Sequence, residues 1–399
     1  MPTPEELYRS PNAIAPEYSR FRVSERLLLT GHSHQAWPDC GFEGQQQAWI
    51  DAAEHVDRKW ERAFERANAV RRGFARLIDD EGGDVALAQN THELVVRFLS
   101  ALSLDERPRI VTTDGEFHSI RRQLDRMAED ESIDLVKVAW DPVETLSARL
   151  CEAADARTAA VMVSYVSFLN AQIIPGIDEV ARRCERVGAE LLVDAYHAIC
   201  ALPFSVRSLG LERAYVVGGG YKYCQLGEGN CFLRLPPGCR LRPVITGWYA
   251  EFDALAERSE GERVAYAAGA GRFAGATYDP TSHYRAAAVF DFFDRMGLTG
   301  EFLREVSQHQ VGLLARRFDA IDADPSLVTR DRSVALEKVG GFLVLTTPRA
   351  ADISARLGER GVWTDHRGRA LRLGPAPYLS DEQLDAAMDE LRSVLRAFA

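Results

Sequence analysis

The chain has no apolar stretch long enough to cross a bilayer, and its opening MPTPEELYRSPNAIAPEYSR lacks an apolar signal core. Both absences predict a cytoplasmic protein without membrane contact. Its seven cysteines, at 40, 151, 184, 200, 224, 231 and 239, show no CxxC spacing and no nearby paired histidines. That argues against a disulfide frame and against a zinc or other metal site, and for reduced thiols. Basic residues are in deficit, 48 Lys and Arg against 59 Asp and Glu, for a formal charge of -11 and a pI near 5.4. A nucleic-acid or anionic-membrane surface would need clustered Lys and Arg, so a small-molecule ligand is expected instead. Neither a P-loop nor a GxGxxG motif is present, and no repeat or low-complexity tract stands out.

What is present is the rhythm of an α/β protein. At 399 residues the chain is long enough for two domains. From Gly41 to Asp79 charged and apolar residues recur at helical spacing, with room for a break. Then VALA, RIVTT, DLVKVAW, AAVMVSY, ELLVD, RAYVV and NCFLRL are seven short apolar runs separated by polar loops and helical patterns. This predicts a mostly parallel sheet covered by helices on both faces. The segments LPPGCRLRPVITGWY and AYAAGAGRFAGATYDPTSHY are loop chemistry, suited to an active-site rim or a subunit contact. Beyond them GGFLVLTT and ALRLGPAPY read as strands, with ADISARLGERG and SDEQLDAAMDELRSVLRAF as helices, a smaller α+β unit. The expected division is 1–40 as an N-terminal arm and gate, 41–283 as the large domain and 284–399 as the small one.

Ligands of open parallel sheets bind beyond the carboxyl ends of the strands, so polar residues there were singled out. Asn90, Thr91 and His92 follow VALA and open a helix, whose free amides suit a phosphate; either Asn90 or Thr91 also serves as an ordinary helix cap. Phe117, with His118, follows RIVTT and is placed to stack on a planar ring, or to fill the core. Asp194 closes ELLVD, three residues before His197, and needs a cationic partner, either a protonated ring nitrogen or a structural salt bridge. Lys222, in VVGGGYKYCQLGEGN, becomes a Schiff-base nucleophile if its site is dry. The three glycines before Tyr221 would let the backbone pass close to a ligand.

The order of these signals, a phosphate turn, an aromatic, a strand-end Asp and a Lys 28 residues later, matches what pyridoxal 5'-phosphate (PLP) requires. With YKYCQLGEG and TGWYAEF, the chain resembles the fold-type-I PLP enzymes of the class V aminotransferase group, and within it the kynureninases, from about Leu28 to Tyr378. The resemblance implies a seven-stranded large domain with a small C-terminal α+β domain, PLP as cofactor and an amino acid as substrate. It makes Lys222 the residue that bonds the cofactor aldehyde, Asp194 the ring-nitrogen partner, His197 a neighbour of the cofactor and Phe117 the stacking ring. Thr91 and His92 would hold the phosphate. Tyr221 would sit on the phosphate side and assist proton transfer, Trp248 and Thr277 would reach the partner's phosphate in a homodimer with shared sites, and Arg372 would fork onto the substrate α-carboxylate. TGHSHQAWP would be the gate, bringing His32, Ser33 and His34 to the substrate. The chain departs from the kynureninase pattern in three places: Ile120 stands where an Asp is usual, Ser167 is the nearest match to the family's HVN-like strand end, and GWYAEF lacks a second tryptophan and a histidine.

The resemblance implies cleavage of the Cβ–Cγ bond of L-kynurenine or a related β-acyl amino acid. Other outcomes at the same carbanion are C–S lysis, decarboxylative C–C bond formation, epimerisation and transamination. No cysteine follows GGFLVL, which disfavours persulfide chemistry. A cofactor-binding regulator on the same fold would have no need of both Asp194 and Lys222.

Overall fold

The computed structural model describes residues 1–254 and 263–398. The helical run divides as its spacing allows, into α1 (Asp39–His55) and α2 (Lys59–Leu77), with Val56 at a left-handed φ of 49° between them. The alternation that follows is β1 (Asp84–Ala88), α3 (Thr91–Ser100), β2 (Arg109–Thr113), α4 (His118–Glu129), β3 (Asp134–Val138), α5 (Leu146–Ala153), β4 (Thr158–Ser164), α6 (Ile177–Val187), β5 (Glu190–Asp194), β6 (Tyr215–Gly219) and β7 (Cys231–Leu235). The seven strands pair in the order β1-β7-β6-β5-β4-β2-β3, and β7 alone runs against the others. This is the mostly parallel α/β sheet expected from the seven apolar runs.

Burial explains why those runs are strands. The central β4, TAAVMVS, is buried along its whole length, as a strand covered on both faces must be. On its cover, α6 turns Ile177, Val180, Ala181 and Cys184 inward at helical spacing and ends at Gly188, whose φ of 68° is the left-handed cap that glycine adopts without strain.

The C-terminal part contains α7 (Thr281–Met296), α8 (Gly300–Asp319), β8 (Leu343–Thr346), α9 (Ala350–Glu359), β9 (Asp365–Arg367), β10 (Ala370–Leu373) and α10 (Asp381–Arg396). Strands β9, β10 and β8 form an antiparallel sheet in that order. The β9 strand is too short and polar for its pattern to announce it. It forms because a tight turn at Gly368, φ 55°, folds it back on β10. The N-terminal segment packs on this part of the chain: Leu27–Leu28 pairs in parallel with Val362–Trp363, and Gln383 donates to the Val23 carbonyl at 2.8 Å. The gate segment is thereby tied to the elements that carry Arg372.

Helix α7 lies along α1 and α2. A Cβ on Gly73 of α2 would stand 2.4 Å from the Phe290 ring of α7, so these helices approach as closely as glycine permits. Gly73→Val should therefore destabilise the protein by about 1–3 kcal/mol, read as a lower urea midpoint. An unchanged midpoint would contradict the close packing.

Candidate active site

The loops beyond the carboxyl ends of β1, β2, β4, β5 and β6 converge on one cavity of about 460 Å³. Its wall includes Thr91, Phe117, Ser164, Asp194, His197 and Lys222. The parallel strands explain the convergence, since each delivers its C-terminal residue to the same edge of the sheet.

Lys222 is the most unusual member. The chain has four lysines, and this one alone is buried, at 5 % exposure. Its Nζ lies 2.7 Å from His197 Nε2 and 4.5, 5.1 and 5.7 Å from the ring centres of Tyr196, Phe117 and Tyr221. Burial lowers its pKa to about 7 against the opposing pull of Asp194, so a large fraction is neutral amine near neutral pH. His197 is pushed well below its ordinary value by burial and then by the charges of Lys222, His32 and Arg372, which keeps it neutral. Its Nδ1 is buried and without a hydrogen-bond partner among the described residues.

Asp194 is fixed by its own backbone. Its Oδ1 accepts from the Tyr196 amide at 2.8 Å, which leaves the other oxygen for the cavity. Burial raises its pKa, opposed by the Tyr196 amide and Lys222. At the N-terminus of α3 the cap is Asn90, whose side chain accepts from the Glu93 amide at 3.0 Å, which leaves the Thr91 hydroxyl and the His92 amide to meet an anion. A neutral buried amine, a carboxylate with a spare oxygen, an aromatic face, an orphaned imidazole nitrogen and an open helix N-terminus together fit a phosphorylated pyridine aldehyde.

Other residues singled out from the sequence lie elsewhere. Ser167 is outside the cavity wall, and its hydroxyl accepts from the Leu169 and Asn170 amides at 3.2 and 3.3 Å, holding the turn; Ser164 and Val166 line the cavity instead. The three glycines are explained by protein packing: a Cβ on Gly219 would lie 2.5 Å from Tyr196 and one on Gly220 2.5 Å from Leu226. Trp248 and Thr277 are joined by a 3.3 Å hydrogen bond outside this cavity. Ser33 and His34 are not in the wall either, but His34 stacks at 4.9 Å on Tyr221, which is a wall residue. His32 is fully buried against Phe342. Arg372 is buried too, and donates to the carbonyl of Phe168, a wall residue, at 2.7 Å. Ile120 packs in the core of the large sheet and does not line the cavity.

Comparison with known proteins gives the fold. The chain's fold matches that of a C-DES mutant with glycine covalently linked to its PLP cofactor, with a TM-score of 0.82 at 16% identity, covering 94% of this chain and 98% of that one. The "Aminotransferase class-V" family model matches residues 52–224. The chain is 24% identical to the uncharacterized aminotransferase YcbU of Bacillus subtilis (86% of this chain, 88% of that protein) and 26% identical to isopenicillin N epimerase of Streptomyces clavuligerus (81% and 83%). It is 28% identical to a kynureninase of Xanthomonas campestris over 45% of each chain. The chain therefore has the fold of these PLP proteins, and the residues lining its cavity fit pyridoxal 5'-phosphate. The class V model covers less than half of the chain. Among the described residues no helix is long and apolar enough to cross a membrane, and no acidic, histidine or cysteine cluster is arranged to hold a metal.

Reading the sequence missed Glu116, one residue before Phe117. It is buried and accepts from Thr113 Oγ1 at 2.6 Å, Ser164 Oγ at 2.6 Å and the Ser164 amide at 3.2 Å. Ser164 sits in register with Asp194 on the adjacent strand, so Glu116 ties the Phe117 loop to the strand beside the Asp194 carboxylate. Burial raises Glu116 to about 7 against the pull of those donors, with Asp194 adding to the rise. A folded value above the ordinary 4.5 stabilises the protein fully below about pH 4.5, and this contribution is lost as pH rises through about 7. Glu116→Gln cannot titrate, so its stability relative to the native protein should improve by about 3 kcal/mol from pH 4.5 to 8. Urea denaturation across that range checks this; parallel curves for the two proteins would refute it.

Proposed function

We propose that this enzyme is a kynureninase-like hydrolase, cleaving the Cβ–Cγ bond of L-kynurenine or a related β-acyl amino acid to alanine and a carboxylic acid. The observation that carries the reading is the Lys222 amine, buried, with a pKa near 7 and 2.7 Å from a neutral His197, in one cavity with Asp194. PLP, when bound, supplies an electron sink for charge at the substrate α-carbon. Lys222 would hold the cofactor by its aldehyde, and its neutral amine would serve as general base for the substrate α-proton. Asp194 would offer its free oxygen to the cofactor's ring nitrogen, Phe117 would cover the ring, His197 would flank it, and Thr91 with the His92 amide would hold the phosphate. Tyr221 carries protons at the mouth, where Ser33 and His34 form the gate. Arg372 binds the α-carboxylate. Residues 1–40 form the N-terminal arm and gate, 41–283 the large cofactor domain and 284–399 the small C-terminal domain.

We also propose a homodimer in which Trp248 and Thr277 serve the neighbouring site. Trp248 is exposed and clusters with Tyr249 and Phe252, and the exposed Val244 and Ile245 lie close by in sequence. Mixed dimers of Lys222→Ala with a Trp248→Ala/Thr277→Ala double variant should regain activity that neither parent has; no recovery would count against shared sites.

A second reading, epimerisation at the α-carbon, is favoured by one observation. The similarity to isopenicillin N epimerase extends over 81% of this chain, against 45% for the kynureninase. Incubation with L-kynurenine separates the two. The first reading expects anthranilate fluorescence and alanine in equal amounts, both lost in Lys222→Ala together with the visible absorption of bound cofactor. Solvent deuterium at an inverted α-carbon without anthranilate would establish the second. Arg372→Lys should raise KM about tenfold or more with a smaller change in kcat, since lysine cannot form the fork.

A further inference from the structure

Arg372 is already engaged by a carboxylate of the chain. Asp365 on β9 stands directly across from Arg372 on β10, and its Oδ2 accepts from Arg372 Nη2. Arg372 Nη1 is committed to the Phe168 carbonyl, while its buried Nε has no partner among the described residues. A side-on fork to a carboxylate uses Nε and Nη2 together, so one of its two prongs is taken and the other stands open.

Asp365 has other places to go. Its Oδ1 accepts from Arg367 Nη1 at 3.0 Å, and its Oδ2 lies 3.7 Å from His32 Nε2. That distance is too long for a hydrogen bond, and neither ring nitrogen of the fully buried His32 has a partner among the described residues. A small shift of the carboxylate away from Arg372 would keep the Arg367 pair and complete the missing bond to His32.

We infer that Asp365 is a built-in surrogate for the substrate carboxylate: it neutralises Arg372 in the resting enzyme and passes to Arg367 and His32 when an amino acid takes the fork. This rests on the assignment of Arg372 to the α-carboxylate. It deepens that assignment into a specificity device, because a ligand without a carboxylate has no means of displacing Asp365 and gains nothing from Arg372. The buried guanidinium is never left without a counter-charge, a state that is strongly unfavourable.

The test compares binding of glycine and of ethylamine, which lacks the carboxylate, to the PLP-loaded enzyme, followed through the cofactor absorption. Asp365→Asn keeps the side-chain shape and removes the competing charge. It should tighten glycine binding about tenfold or more while leaving ethylamine binding unchanged. Asp365→Ala provides a second variant should the first fold poorly, with circular dichroism confirming the native fold, and should change binding in the same direction. Weaker glycine binding would overturn the inference by making Asp365 a residue that orients Arg372, and equal changes for both ligands would overturn it as well. Arg372→Lys separates the underlying assignment: if it leaves the preference for glycine over ethylamine intact, Arg372 is not the carboxylate site, whatever Asp365 does.

Discussion

The site depends on keeping one lysine amine dry. Water would return Lys222 to its ordinary ammonium state, and much of the surrounding structure can be understood as preventing that. Phe117, Tyr196 and Tyr221 surround the amine, His197 meets it as a neutral partner, and glycines at 219 and 220 allow Tyr196 and Leu226 to pack against the strand that delivers it. The pKa near 7 follows from this enclosure, and it gives the same group the capacity to act as nucleophile and as base.

Charge is managed around that amine by carboxylates in three different settings. Asp194, pinned by the Tyr196 amide, presents one oxygen to the cavity. Glu116, behind it, accepts three hydrogen bonds and favours its protonated form because no cation offsets its burial. Asp365 shows the opposite behaviour: burial alone would raise its pKa, but His32, Arg372 and Arg367 hold it well below the usual carboxylate range. The same chemical group is thereby tuned in opposite directions within one active-site region, by the presence or absence of positive neighbours.

The fold was legible because the seven strands of the large sheet are short, apolar and separated by helical spacing, and the parallel order then dictates where their ends meet. Asp194, Lys222, Phe117 and Thr91 were legible for the same reason, as polar or aromatic residues at strand ends. Glu116 and Tyr196 were not singled out, because nothing in a lone Glu before Phe, or a Tyr two residues past an Asp, signals a buried partner. Asp365 was hidden in a strand of three residues, and its pairing with Arg372 depends on hairpin register. Ser167 illustrates the limit of matching by position: the strand ends three residues earlier, so Ser164 reaches the cavity and Ser167 holds the next turn. The glycines were read as letting the backbone pass close to a ligand, but what approaches Gly219 and Gly220 is Tyr196 and Leu226.

With four lysines in the chain, the central claim has a direct chemical test. Borohydride reduction of the PLP-loaded enzyme fixes the cofactor to the amine that holds it, and peptide mass mapping then identifies that residue. The account predicts a pyridoxyl group on Lys222 alone. Modification of Lys59, Lys137 or Lys338 with Lys222 left free would contradict it.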